Sequence, residues 1–246
     1  MIYESFERAR LRVLGEEAVT EGVGGLSEKS VHKILKLTLE PNITKHEVKY
    51  LGSIADIKNE NGIFEIQTKN HYQIRGKLLK FLAHSPVTLV IPLIKEKRIR
   101  WINTETGEIS EPKKSPKHED IYTALYYLSP LSKLILNPDF KVKLIFISVD
   151  EYRRLDGWDE SKKRGASKAD RIPMRLLGVI DLNSKKDYES YFPKELSGQF
   201  LSKDFAKKIK RPSRFSYYVI KLFEKLGYIE QDGKVGRAFL YKTKDK

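Results

Sequence analysis

The chain has 246 residues, of which 40% are hydrophobic and 11% aromatic, so it has the composition of a folded protein of one large or two modest domains. It contains no cysteine, which excludes disulfides, thiolate zinc sites and cysteine nucleophiles. A formal net charge of +14 favours a polyanionic partner, although an ordinary basic protein is the alternative.

The first third of the chain predicts helices on both sides of a group of short strands. Residues 2–20 have a helix-forming composition, and the glycines of VTEGVGG end that helix. Ser27 has the character of an N-cap for a helix that runs to about Leu39. Residues 46–69 then predict two or three strands around the turn-rich KNENG. After them, residues 71–84 predict an amphipathic helix with its apolar residues inward: Tyr72, Leu78, Leu79 and Leu82.

The middle of the chain continues this alternation. PVTLVIPLI reads as a strand buried on both faces, RIRWIN and GEIS form a hairpin around TETG, and KVKLIFISV is another buried strand. Ile121–Leu134 lies between them as a second helical candidate. We therefore expect an α/β fold with a central mixed sheet flanked by helices.

A polar, glycine-containing segment at residues 151–173 follows, and we interpret it as a long loop. It is either an ordinary solvated surface or a phosphate-contacting element. Five cations lie in its second half: Lys162, Lys163, Arg164, Lys168 and Arg171.

The strands at residues 46–69 carry the candidate site. Successive side chains of a strand point to opposite faces, so Glu65, Gln67 and Lys69 share one face. If Asp56 lies on the neighbouring strand, two carboxylates meet beside an amide and an ammonium. Such a cluster can hold a hard divalent cation through oxygen ligands. The alternative is an exposed edge strand with ordinary polar residues.

The pattern D-x8-E-x-Q, with a helix before and after it, resembles the PD-(D/E)xK nuclease superfamily in its E-x-Q variant over roughly residues 25–92. The resemblance implies a restriction-endonuclease-like fold and a site for Mg2+ or Mn2+. It places the metal at Asp56 and Glu65, with the backbone carbonyl of Ile66 as a third ligand. The longer run with HEV, ADI, EIQT, LDGW and DRIP also resembles an uncharacterised bacterial family.

The same resemblance assigns catalytic roles to further residues. Glu28 matches an acidic residue that many members carry on the first helix. Gln67 stands where most members have lysine, and a neutral amide can supply only hydrogen bonds. Lys69 could supply the missing positive charge; otherwise catalysis is weak or lost.

From about residue 184 the pattern changes to a short helix, a longer helix and a hairpin. Ser202 is the predicted N-cap of the first helix, Gly227 ends the second, and Asp232–Gly233 is the predicted turn of the hairpin. This order resembles a winged helix-turn-helix over residues 184–243. We therefore predict two domains, 1–183 nuclease-like and 184–246 winged helix.

The C-terminal segment is strongly basic, with 13 Lys/Arg against 6 Asp/Glu in residues 195–246. The start of its longer helix would face the major groove, and the wing would contact phosphates. The predicted DNA-binding residues are Arg211, Ser213, Arg214, Ser216 and Tyr217 on the helix, and Lys234 and Arg237 on the wing. A winged helix that contacts protein is the alternative.

Together these features predict a metal-dependent DNA endonuclease that acts on double-stranded DNA. The second hypothesis is a non-enzymatic DNA-binding regulator on a degenerate nuclease fold. No run of the sequence approaches the ~18 apolar residues of a membrane span, and MIYESFERAR does not read as a signal peptide, so we expect a cytoplasmic protein. Double-strand cutting by a single-site enzyme would favour a homodimer.

Overall fold

A computed structural model describes residues 1–20, 30–68, 72–158 and 164–244. The helices of this part are α1 (Ile2–Thr20), α2 (Ser30–Leu39), α3 (Arg75–Leu82), α4 (Ile121–Leu128), α5 (Ser132–Ile135), α6 (Lys185–Glu189), α7 (Ser202–Lys208) and α8 (Ser213–Lys225). The strands are β1 (His46–Tyr50), β2 (Ser53–Asn59), β3 (Gly62–Ile66), β4 (Val87–Ile102), β5 (Lys113–Lys114), β6 (Phe140–Trp158), β7 (Arg164–Leu182), β8 (Gln199–Leu201), β9 (Ile229–Val235) and β10 (Ala238–Thr243).

The fold is α/β, with a large mixed sheet flanked by helices, as the sequence predicts. In the described residues this sheet has the order β1-β2-β3-β4-β6-β7, with β5 paired to β4. A second sheet has the order β8-β10-β9. The chain divides into two compact units, and β4, β6 and β7 contribute residues to both.

The first unit contains residues 1–68, 92–118 and 145–179. Helix α1 packs against α2, and α2 contacts β3. Helix α2 buries one face, because its apolar residues recur at helical spacing. The core of this part of the unit consists of Phe6, Val13, Val31, Ile34, Leu35, Ala55, Ile57 and Ile63. The predicted N-cap Ser27 lies outside the described residues.

Two sequence interpretations in this unit are corrected. Strand β4 does not end near residue 94 but continues through RIRWI to Ile102, which forms an isolated bridge to Ile109 in the predicted hairpin. The segment 151–173 is not a loop: its described residues belong to the 19-residue strands β6 and β7. Lys162 and Lys163 lie outside the described residues, and Lys168 is exposed.

The second unit contains residues 69–91, 119–144 and 180–246. Helix α8 packs against α4, α5 and α7, and its buried face has 3–4 spacing. The aromatic core around it consists of Phe192, Phe200, Phe205, Phe223 and Tyr241. All elements after residue 183 belong to this unit, but so do the earlier segments 69–91 and 119–144. The predicted domain boundary at residue 183 therefore stays a prediction.

Several local expectations in this unit are wrong. Helix α3 buries Leu78 and Phe81, whereas Tyr72 and Leu79 are exposed. The predicted helix 121–134 is divided into α4, a 3-10 turn and α5. Helix α7 begins at Ser202 itself, and Asp204 accepts a hydrogen bond from the backbone of Leu201 at 3.1 Å.

The C-terminal hairpin turns at a different place from the one expected. Strands β9 and β10 pair from Val235 opposite Ala238, so the turn is Gly236 and Arg237. Asp232 and Gly233 instead lie where the register shifts, and the φ of 115° at Gly233 suits an irregularity of this kind. No described helix is long and apolar enough to cross a membrane.

Candidate functional site

The tight hairpin of β2 and β3 brings the two predicted acids together. Asn59 pairs with Gly62 around the two-residue turn Glu60–Asn61, and Ile57 pairs with Phe64. Asp56 and Glu65 are the next residues on the two strands beyond this last pair. The hairpin therefore brings the two acids close together in space.

The two carboxylates also bind the backbone where the ladder between β2 and β3 ends. Oδ2 of Asp56 accepts a hydrogen bond from the N–H of Ile66 at 2.7 Å. Oε1 of Glu65 accepts one from the N–H of Asp56 at 3.3 Å. Side-chain oxygens thus satisfy backbone donors beyond the last regular pair, which fixes the position of both acids.

His32 of α2 is a neighbour that the sequence interpretation omits. Its Nε2 lies 3.1 Å from Oδ2 of Asp56, and the two side chains are 31% and 17% exposed. In the same turn of α2, Ser30 donates to Oδ2 of Asp170, a buried acid of β7. The first turn of α2 therefore contacts acids from two different strands.

Glu65 is only 1% exposed, whereas Gln67 is half-buried and follows the last residue of β3. Among the described residues, no group of three or more His, Asp or Glu side chains is arranged to hold a metal ion. Glu28 and Lys69, the two remaining members of the predicted catalytic set, lie outside those residues.

A second charged cluster surrounds Glu151 of β6. This carboxylate is fully buried and accepts hydrogen bonds from Nε of Arg171 and Nε of Arg153, both at 2.8 Å, and from Lys97 at 3.3 Å. Burial acts to raise the pKa of Glu151, but these cations outweigh it and lower the pKa to about 2. Burial lowers the pKa of Lys97, and the attraction of Glu151 opposes that effect.

The neighbouring residue, Asp150, forms a cluster with the arginines of β4. Nε of Arg98 donates to Oδ1 at 2.7 Å and Nε of Arg100 donates to Oδ2 at 2.9 Å. We call these three residues the Asp150 cluster. Because adjacent residues of a strand point to opposite faces, the Asp150 cluster and the cations around Glu151 lie on opposite sides of β6.

The sequence contains two signals for these clusters. They are the basic segment KRIR at residues 97–100 and the acidic pair DE at residues 150–151, at the end of an apolar strand. The pairing itself depends on the order of the strands in the sheet, which the sequence does not show.

The predicted DNA-binding residues of the C-terminal segment occupy different environments. Ser216 is fully buried, and its hydroxyl donates to the carbonyl of Pro212 at 3.1 Å. It cannot face a DNA groove, so its place in the predicted set is corrected. Arg211 donates to Asp120 at 2.8 Å and lies over the ring of Phe215, which stacks on Tyr126 of α4 at 4.6 Å.

The other members of that set lie at the surface. Ser213 and Arg214 are exposed, and Tyr217 is 42% exposed. Lys234 is exposed on β9 with its ammonium over the ring of Phe239, and Arg237 is exposed in the hairpin turn. The described surface of this segment therefore offers separate cations on the helix and on the hairpin.

The chain belongs to a family described as a domain of unknown function, DUF8091, whose match covers residues 29–183. It is also similar to an uncharacterised protein of Treponema pallidum (strain Nichols), with 27% identity over 164 residues. That match covers 66% of this chain and 62% of the relative, so the chain spans less than two thirds of the relative's length. No solved structure matches the chain.

Proposed function

We propose that the protein is a nuclease of the PD-(D/E)xK type that hydrolyses phosphodiester bonds of double-stranded DNA. The observation that carries this proposal is the contact between Asp56 and Glu65 on adjacent strands, where the N–H of Asp56 donates to Oε1 of Glu65 at 3.3 Å. Two neighbouring carboxylates provide the oxygen ligands that Mg2+ and Mn2+ prefer.

The order of elements supports the same proposal. Helix α2, the three strands β1 to β3, helix α3 and strand β4 follow one another, and β1 to β4 are neighbours in the sheet. This is the helix, strands, helix, strand order that accompanies the motif in the superfamily that the sequence resembles. The restriction-endonuclease-like fold is part of the proposal.

The residues present fit a divalent cation through their chemistry, although Glu28 is needed to complete a set of three acids. A bound cation would polarise the phosphodiester and lower the pKa of the attacking water. Asp56 and Glu65 would hold it, with the carbonyl of Ile66, while the amide of Gln67 would orient water or phosphate by hydrogen bonding. Lys69 would add positive charge near the scissile group.

We further propose that residues 184–243 form a winged helix that holds DNA. Elements β8, α7, α8, β9 and β10 follow the order of that class, and the basic surface of α8 and the hairpin would contact phosphates. Within this proposal the contacts come from Ser213, Arg214, Tyr217, Lys234 and Arg237. Arg211 contributes less because it is paired with Asp120.

The test is cleavage of supercoiled plasmid by the purified protein with Mg2+ or Mn2+. The decisive variant is Asp56→Asn/Glu65→Gln, which keeps the oxygen that accepts the backbone N–H on each side chain but removes both charges. Glu60→Gln, in the exposed turn of the same hairpin, is the matched control. Cleavage by the wild type and the control but not by the double variant supports the proposal. Equal cleavage in all three samples would show contamination.

A non-enzymatic DNA-binding regulator is the second candidate, and one observation favours it. Glu65 is almost fully buried, and Oδ2 of Asp56 already contacts His32 and the N–H of Ile66. These contacts would make both acids structural. DNA binding with no cleavage under either metal would favour this candidate over the nuclease.

A further inference from the structure

The Asp150 cluster presents two arginines in an orientation that suits an external anion. Asp150 is 1% exposed, and both of its oxygens are occupied by an Nε atom. Side chains of Arg98 and Arg100 are 45% and 26% exposed. In the described part of the chain, their terminal nitrogens donate no hydrogen bond. The buried carboxylate therefore fixes the guanidinium groups and leaves their outer donors to solvent.

A third cation lies beside these arginines. Strand β5 pairs with β4 so that Lys114 is opposite Arg98 and Lys113 is opposite Ile99. Opposite residues of an antiparallel ladder share a face, so Lys114 lies on the side of Arg98 and Lys113 on the other side. Two like charges at directly opposite positions repel each other, so the pair of Arg98 and Lys114 lowers stability unless an anion lies nearby.

The balance of charge on this surface is positive. Arg98 and Arg100 share the single carboxylate of Asp150, Lys114 lies opposite Arg98, and Glu111 adds only a weaker attraction at Arg100. Arginine is always charged in proteins, and the hydrogen bond to Asp150 raises the pKa of Arg100 further. One buried carboxylate neutralises a single positive charge, so the second arginine and Lys114 add positive charge that Asp150 does not balance.

We propose that Arg98, Arg100 and Lys114 form a binding site for the phosphate backbone of duplex DNA, separate from the C-terminal helix and hairpin. Arginine suits this ligand because its planar group donates two parallel hydrogen bonds to phosphate oxygens. Arg98 and Arg100 are two residues apart in β4 and their Nε atoms converge on one carboxylate, so the two guanidinium groups present one concentrated positive site to a phosphate. The site rests on the proposed function for its ligand, DNA, but not on metal binding or catalysis.

The experiment compares Lys114→Gln with Lys113→Gln in the full chain. Both lysines are exposed neighbours on the same short strand and the charge change is identical, so only the face differs. Affinity for a short DNA duplex is measured in EDTA over a series from about 50 to 200 mM salt. We expect Lys114→Gln to weaken binding about fivefold and to reduce the salt slope by about one, while Lys113→Gln changes affinity less than about twofold.

A second variant removes the arginines without leaving a buried charge alone. Arg98→Gln/Arg100→Gln/Asp150→Asn replaces the cluster with neutral, hydrogen-bonding groups, and its thermal unfolding is checked first. We expect it to weaken duplex binding by about 10- to 100-fold. Wild-type affinity in both Lys114→Gln and this triple variant would overturn the inference.

The measured duplex affinity does not depend on whether the protein is a nuclease. EDTA removes any metal-dependent cleavage, so loss of affinity here is informative even if the plasmid is never cut. A parallel Arg214→Gln/Arg237→Gln variant measures the C-terminal contribution. If that variant alone abolishes binding and the cluster variants bind normally, the phosphate site on β4 and β5 is rejected.

Discussion

The backbone N–H of Ile66 donates to Oδ2 of Asp56 at 2.7 Å, at the point where regular pairing of β2 and β3 gives way to side-chain contacts. Ile66 is only 4% exposed, so this N–H depends on the carboxylate for its hydrogen bond. Asp56 therefore makes a structural hydrogen bond that is independent of any metal. A substitution that tests catalysis should keep an oxygen that can accept this hydrogen bond.

We predict that Asp56→Ala lowers the free energy of unfolding by about 1–3 kcal/mol, because it leaves a buried backbone donor unsatisfied. Asp56→Asn should cost clearly less, since the amide oxygen can still accept from Ile66. Urea unfolding of both variants at neutral pH measures the difference. Equal losses in the two variants would show that the charge, through His32, matters more than the hydrogen bond.

The buried Glu151 makes a specific prediction about pH. Its folded pKa of about 2 lies below the ordinary value of 4.5, so its contribution to stability is present above pH 4.5 and is lost as the pH falls towards 2. The difference corresponds to roughly 3 kcal/mol. We expect Glu151→Gln to be less stable than the wild type at pH 7, and to lose less stability on acidification. Unfolding free energies at several pH values between 7 and 3 test this, and parallel curves for both proteins would contradict it.

Local features of the fold were predictable from sequence because they depend on neighbouring residues. The hairpin of β2 and β3 follows from turn residues between alternating strands, and the N–H of Asp56 donates to Glu65 across it. The buried face of α2 follows from apolar spacing. These elements need no knowledge of the rest of the chain.

The missed features depend on contacts between distant segments. Residues 151–158 resemble a loop in composition, yet they continue strand β6. Glu151 accepts hydrogen bonds there from Lys97 of β4 and Arg171 of β7, two partners that are distant in the sequence. Asp150 accepts hydrogen bonds from Arg98 and Arg100, which are about 50 residues away in the sequence. Only the strand order of the sheet brings β4 and β6 side by side. The Asp232–Gly233 pair predicts a turn, but a β-bulge also favours a glycine with positive φ, and the register shift lies here.

The buried position of Ser216 predicts a contrast with Arg214 on the same helix. Ser216→Ala should leave duplex affinity within about twofold of the wild type, and should lower stability by about 1 kcal/mol through loss of the hydrogen bond to Pro212. Arg214→Gln should weaken binding about fivefold with little change in stability, because its side chain is exposed. Gel shifts and thermal unfolding of the two variants separate these effects. Loss of affinity in Ser216→Ala, with the fold intact, would contradict the corrected assignment.

The placement of Lys114 opposite Arg98 also predicts an effect on stability in the absence of DNA. Removing one of two like charges relieves their repulsion, so Lys114→Gln should raise the free energy of unfolding by about 0.2–1 kcal/mol at low ionic strength. The gain should disappear near 1 M salt, where the screening length falls to about 3 Å. Lys113→Gln, opposite the uncharged Ile99, should show a smaller gain. Urea unfolding of both variants at low and high salt provides the measurement. A loss of stability in Lys114→Gln at low salt would mean that this lysine is held by an attractive partner, and the surface would not be short of negative charge.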